Sequence, residues 1–333
     1  MKGISITAFL IIICLPNYSQ ELRGIVIDEN TKRPLTDVSV FFNGTTRGTK
    51  TDRNGNFKVL APENQKLPLA VSAIGYNSLL LTEYPADKSL KILLVPKIYE
   101  LNEVVIISKR SLWEKSIRNN YLNTFRRQFI GETVNAYTCK IMNESDLVFQ
   151  YDENRLLLTA YSLRPLIISN KSLGYQITFY LDAFEYSQIP YSLSYTGYYN
   201  FREDSTLNSK ERVRAENRRR LAFLGSRMHL MRSLWENNLD SAGFTIKNSD
   251  NKIITYDSLV VERDSSDKYM GSKRTYNVAY LSKTSRSMME ITKNNVYFNK
   301  LGYFDPYGIK WIGEMGKQRV ADLLPYDYIK IKH

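Results

Sequence analysis

The chain has 333 residues, of which 43 % are hydrophobic, with 46 Lys and Arg against 34 Asp and Glu and a net charge of +12. That apolar share excludes a wholly disordered chain, and the length suggests two domains. Two cysteines exclude a disulfide-framed scaffold, and two histidines leave little material for zinc or histidine-based chemistry.

Lys2 gives a positive start, Ile4 to Leu15 is almost wholly apolar, and Pro16 and Ser19 follow. This pattern predicts a secretory signal peptide over 1–19, cleaved near Ser19/Gln20, and therefore an exported protein of the periplasm or outer membrane. The run is too short to span a ~30 Å hydrocarbon core. Cys14 would suggest lipidation, but Ile13 before it is bulky where such signals want a small residue. No later stretch is apolar for long enough to form a transmembrane helix. Export turns the basic balance away from nucleic acid. An envelope protein, an anionic lipid or a polysaccharide becomes the expected partner, beside the ordinary alternative of a solvated basic surface.

From Glu21 onward short apolar runs alternate with turn signals. Leu22–Asp28, Val38–Phe42, Asn56–Leu60, Leu69–Ile74, Ser78–Thr82 and Leu90–Val95 read as strands. Asn54-Gly55 suits a tight hairpin. About seven short strands without helical period predict an antiparallel sandwich over 20–107. Gly44 to Lys50 has glycines like a phosphate loop, but it lacks the spacing and the strand-to-helix context. Asp52-Arg53-Asn54-Gly55-Asn56 misplaces the glycine of a calcium loop.

The order Gly24, Asp28, Pro34-Leu35, Val38, Val40, Gly44, Thr51-Asp52, Gly55, Phe57, Gly75-Tyr76 and Leu101-Asn102-Glu103-Val104-Val105 resembles the carboxypeptidase regulatory-like domain. The resemblance implies a prealbumin-like β-sandwich of the kind common in envelope proteins of Bacteroidota. In that phylum the domain often precedes the plug of a TonB-dependent transporter. The stretch 108–333 is too short for a plug and a 22-stranded barrel.

The second region, 108–333, reads as α+β, with antiparallel strands and a few helices. Ser111 to Glu114 fits a capping box, and Trp113, Ile117, Tyr121 and Phe125 line one helix face. Tyr137–Ile141, Leu156–Ala160, Tyr175–Leu181 and Tyr191–Phe201 read as strands. A charged helix over Lys210–Phe223 breaks at Gly225, Ser226 caps a second helix, and Gly243 is its expected stop. Strands are expected again at Ile253–Val261, Tyr276–Tyr280, Met288–Ile291 and Val296–Phe298. Leu221 to Leu234 with Gly243-Phe244, and Trp311-Ile312-Gly313 with Gln318 to Tyr328, resemble stretches of uncharacterised Bacteroidota proteins that carry the same sandwich in front. That likeness implies an envelope location and no activity.

No catalytic, metal or cofactor residue is predicted. Three residues after His229 stands Arg232, where a zinc carboxypeptidase has a carboxylate, and no Gly-x-Ser-x-Gly elbow occurs. Cys139 lies in an apolar strand and reads as packing. Two binding surfaces are expected. Arg212, Arg218, Arg219, Arg220 and Arg227, with Arg214 and Arg232 nearby, form a candidate anion site. Tyr191, Tyr195, Tyr198 and Tyr199 form a candidate glycan platform, with strand packing as the alternative. The expected function is a non-catalytic exported envelope protein with an interaction module. The alternatives are a carbohydrate-binding protein and a small outer-membrane β-barrel.

Overall fold

The computed structural model describes residues 21–62, 66–85, 88–97, 112–262, 267–281 and 286–329. The expected signal peptide with Cys14, the Leu101–Val105 motif and the Ser111 cap lie outside them.

The N-terminal sandwich contains β1 (Glu21–Asp28), β2 (Ser39–Phe42), β3 (Gly48–Lys50), β4 (Asn56–Leu60), β5 (Leu69–Ser72), β6 (Leu79–Leu81) and β7 (Leu90–Leu94). They form two sheets, β4-β1-β7 and β3-β2-β5-β6. Alternation sets the inward faces: Phe57 and Val59 of β4 meet Val26, Val40, Leu69 and Ile92 in one core. β1 and β7 pair in parallel, a departure from the expected all-antiparallel sandwich. Most of the sandwich chain lies between these two strands, which supplies the long connection that parallel pairing needs. Asp52 to Gly55 turns the chain from one sheet to the other and is no two-residue hairpin. Asp52 Oδ1 accepts from the amides of Asn54 and Asn56 at 2.8 Å each, and only Gly55 takes positive φ.

The second region begins with α1 (Leu112–Phe125), which runs into a π-helical turn, Arg126–Ile130. Then come β8 (Cys139–Ile141), β9 (Leu147–Asp152), β10 (Leu157–Ser162), β11 (Leu166–Asn170), β12 (Tyr175–Gln188) and β13 (Tyr191–Glu203). β12 is the spine of this sheet. Its first half pairs with β11, its second half with β10, and β13 follows its other edge. Phe125 and Phe129 pack on this sheet, with ring centroids 4.7 Å from Phe184 and 4.9 Å from Phe179.

Asn208 and Glu211 form a capping box for α2 (Ser209–Phe223), and Ser226 caps α3 (Arg227–Trp235). α3 ends well before Gly243; Asn237 takes the left-handed conformation just beyond it. Next are β14 (Phe244–Lys247), α4 (Tyr256–Leu259), β15 (Val260–Glu262), β16 (Lys268–Met270), β17 (Thr275–Tyr280), β18 (Ser287–Ile291), β19 (Val296–Phe298), β20 (Ile309–Gly313) and α5 (Glu314–Lys317). Sheets β14-β17-β18-β20 and β15-β16-β19 enclose a separate core under α3, including Met231, Leu234, Phe244 and Phe298. The described strands thus form separate sheets, and only β12 and β13 reach the roughly 9–11 residues of a bilayer-crossing strand. This arrangement departs from the barrel alternative.

Backbone bonds join the sandwich to the second region. Gly44 N–H donates to Tyr199 O at 2.7 Å, Phe201 N–H to Thr45 O at 2.9 Å, and Tyr326 N–H to Gly44 O at 2.7 Å. Asp327 accepts from Thr46 N–H at 3.0 Å, and Phe41 stacks on Tyr180 at 5.3 Å. The turn after β2 therefore covers part of the open edge of β13. The chain end is held over the same place.

Candidate functional site

A cleft of about 880 Å³ opens between β13 and the wall made by the β19–β20 connection, β20 and the segment that follows α5. β13 lines it along Tyr191 to Gly197 and at Tyr199. Tyr199 lies flat on Phe179 at 5.4 Å, Tyr195 meets Phe129 edge-on at 5.2 Å, and Tyr191 sits at the open end. Across from them stand Tyr303, Tyr307 and Trp311. Burial, then the neighbouring Tyr326, pushes the Tyr199 phenol well above its ordinary value. Tyr199 is therefore a fixed neutral ring of the floor.

The lining carries four cations, Arg227, Lys310, Lys317 and Arg319, and one carboxylate, Asp322. Arg227 and Arg319 are steadied by backbone: Arg227 Nη2 donates to Gln318 O at 3.2 Å, and Arg319 Nη1 donates to Gly316 O. Asp322 Oδ1 accepts from Thr133 Oγ1 at 2.8 Å and Asn135 Nδ2 at 3.0 Å, while its Oδ2 is buried without a partner among the described residues. The Trp311 indole N–H is also buried and unpaired. One acceptor and one donor thus lack partners beside the cleft, a deficit that a water or a ligand hydroxyl would relieve.

The two predicted surfaces are regrouped by the fold. Tyr191, Tyr195 and Tyr199 come together in the cleft. Tyr198 faces the other way, paired with Tyr180 on the side that meets the sandwich, so the four do not make one platform. Among the arginines, Arg227 joins the cleft. Arg212, Arg218 and Arg220 are exposed on α2. Arg219 turns inward: its Nε donates to Leu173 O at 2.7 Å, its Nη2 to Gly174 O at 3.2 Å, and its guanidinium lies 4.0 Å over the Tyr175 ring. The inward face of α2 passes over the β11–β12 turn, so helical direction separates Arg219 from its neighbours.

Tyr307, Trp311, Arg319 and Asp322 are functional candidates that the sequence did not single out. They come from a loop, the middle of β20 and the segment after α5, and no periodicity links them. The likeness over Trp311–Gly313 and Gln318–Tyr328 touched the last three without giving them a role.

Remaining reactive groups sit in packing environments. His229 lies between the rings of Phe223 (4.7 Å) and Phe244 (4.9 Å), and its Nδ1 accepts from Gly225 N–H at 3.1 Å. Burial pushes the Cys139 thiol up to about 12, which suppresses the reactive thiolate. Among the described residues no group of three His, Cys, Asp or Glu is placed to hold a metal ion.

Residues 22–106 match the model of the CarboxypepD_reg-like domain. No curated protein matches the chain. A solved structure, the 9R-lipoxygenase from Cyanothece PCC8801, is aligned at 9 % identity over 70 % of this chain and 49 % of its own, with a TM-score of 0.17. The chain spans about half the length of that enzyme, and a superposition so poor carries no argument. The matched segment is the seven-stranded sandwich: the N-terminal module of this chain is similar to the CarboxypepD_reg-like domain.

Proposed function

We propose that this is an exported, non-catalytic protein of the cell envelope whose cleft binds an acidic polysaccharide. The observation that carries the reading is a pair of exposed rings from separate elements of the cleft, Tyr191 at 64 % exposure and Tyr307 at 70 %. Flat aromatic faces left in water beside a large cleft gain by covering the CH face of a sugar ring. Lys310 and Lys317 are paired with Glu290 and Glu314, but Arg227 and Arg319 have no ion pair among the described residues, and this surplus over Asp322 favours uronic or phosphorylated sugars over neutral ones. The packed His229 and the suppressed Cys139 thiol support a binding role over a nucleophilic one. In this reading the sandwich serves as a brace, since its β2–β3 turn holds the edge of the strand that lines the cleft.

The test is calorimetric titration of the purified protein with acidic and neutral polysaccharides. Saturable binding of acidic chains, weakened about two- to tenfold by Tyr307→Ala, is the expected result; each lost stack is worth about 0.5–1.5 kcal/mol. Equal affinity of the wild type and Tyr307→Ala, or no heat with any polysaccharide, would remove the reading.

A further inference from the structure

Helix α2 presents an outer face with an unusual composition. Lys210, Val213, Arg214, Asn217, Arg218 and Leu221 recur at spacings of three and four and share one side. Val213 is 63 % and Leu221 64 % exposed, and Lys210, Arg214 and Arg218 are exposed around them. The opposite side is the packed one, with Ala215 and Phe223 buried.

All but one of the cations on this helix lack an ion pair among the described residues. Its ion pairs belong to Arg219, with Glu203 at 3.1 Å and Glu216 at 3.4 Å. Among the described residues Lys210, Arg212, Arg214, Arg218 and Arg220 have no carboxylate within ion-pair distance. Glu211 is engaged at the helix start, where its Oε2 accepts from Asn208 N–H at 2.9 Å.

A second exposed apolar segment lies alongside. Arg218 Nη1 donates to Ser172 Oγ at 3.0 Å, and Ser172 Oγ donates to Asn135 Oδ1 at 2.8 Å. This chain of bonds brings the helix to the segment that carries Val134, 65 % exposed, and Tyr137, 82 % exposed.

We infer that this face docks on the anionic surface of a lipid bilayer. The cations meet the lipid phosphates, and Val213 and Leu221 enter the interface between headgroups and chains. Cations alone would suit any polyanion. Aliphatic side chains set among them need an apolar phase, which a bilayer offers and a polysaccharide does not. The attachment is electrostatic and shallow, so it is reversible and sensitive to salt. It uses none of the residues that line the cleft and stands without the polysaccharide reading.

The experiment is sedimentation of the full protein with phosphatidylcholine vesicles, with and without phosphatidylglycerol, at low and high salt. The protein is expected to pellet with the anionic vesicles only, and to be released by salt. A double variant, Arg214→Gln with Arg218→Gln, is expected to lower the partition about 25-fold, at about fivefold per cation near the surface. Leu221→Ser is expected to lower it several-fold while leaving the salt dependence in place. All three positions are exposed, and unchanged unfolding midpoints will show that the variants keep their fold. Three results would overturn the inference: equal binding of neutral and anionic vesicles, a double variant that binds as the wild type does, or no vesicle binding alongside capture of an acidic protein through these same arginines.

Discussion

Arg232 joins three pieces of chain through one planar group. Its Nε donates to Leu301 O at 3.1 Å, its Nη1 to Tyr328 O at 3.0 Å and its Nη2 to Tyr326 O at 3.0 Å, while the Phe223 ring lies 5.3 Å away. Burial brings the guanidinium down to about 10, yet it stays charged at neutral pH. An ammonium cannot serve three carbonyls at the corners of a fork. Arg232→Lys is therefore expected to lose about 2–4 kcal/mol of stability, read as a shift of the urea midpoint. Asp204 supplies a pH test. Burial alone would raise its carboxyl, but Lys171 Nζ at 2.6 Å and the hydroxyl and amide of Thr206 outweigh it and bring the group down to about 2. The folded value lies below the ordinary 3.8, so the stabilisation is complete above that value and is lost as pH falls through about 2. With Lys171 half exposed, the loss amounts to about 1 kcal/mol. In Asp204→Asn the slope of stability against pH in that window should shrink accordingly; an unchanged slope would show that the pair contributes nothing. Such roles were not legible in the run of arginines. Composition shows how many cations a helix carries, and only the fold shows that Arg220 is exposed while Arg219, its neighbour, lies over Tyr175.

At the scale of elements, the turn after β2 decides how the sandwich is held. Gly44 has φ of +73°, and a Cβ there would come within 2.6 Å of the Tyr326 ring. Its N–H and C=O are the groups bonded to Tyr199 and Tyr326. Gly44→Ala adds about 1–2 kcal/mol of backbone strain to that clash. It should raise hydrogen exchange at the Tyr199, Phe201 and Tyr326 amides at least tenfold, and leave β1 protected. Exchange unchanged at those three amides would mean that the turn is not what secures the edge. Where alternation was clean, elements were legible to the residue: Asn56–Leu60 is the expected and the observed β4. Ile253–Val261 failed as a strand because its apolar residues belong to three environments. Ile253 makes one isolated bridge, Tyr256–Leu259 is a helical turn, and pairing starts only at Val260. The capping pair Asn208 and Glu211 was within reach of sequence reading, since it has the spacing of a capping box. β9 and β11 were missed, and each takes its place from its pairing with β10 or β12.

At the scale of the whole molecule, three hydrophobic cores are present among the described residues, joined by hydrogen bonds and aromatic contacts. The chain end threads between them: Leu324 and Tyr328 belong to the core under β12, and Tyr326 also touches the sandwich core. This interlocking predicts one cooperative unfolding transition by calorimetry, with equal calorimetric and van't Hoff enthalpies. Two resolved transitions would show that the sandwich melts as a separate unit. The cleft exists only at this scale, because its walls are drawn from β13, the β19–β20 connection and the segment after α5. Its tyrosines were visible in the sequence as a set, but which of them converge, and with which cations, depends on strand direction and on contacts distant along the chain. The most direct measurement is a titration of acidic polysaccharide into the wild type, Tyr191→Ala and Tyr307→Ala, followed by calorimetry and intrinsic fluorescence. Saturable binding to the wild type, a fluorescence change as the rings are covered, and about two- to tenfold weaker binding by each variant are expected. Binding that ignores both substitutions, or none to the wild type, would contradict the polysaccharide reading.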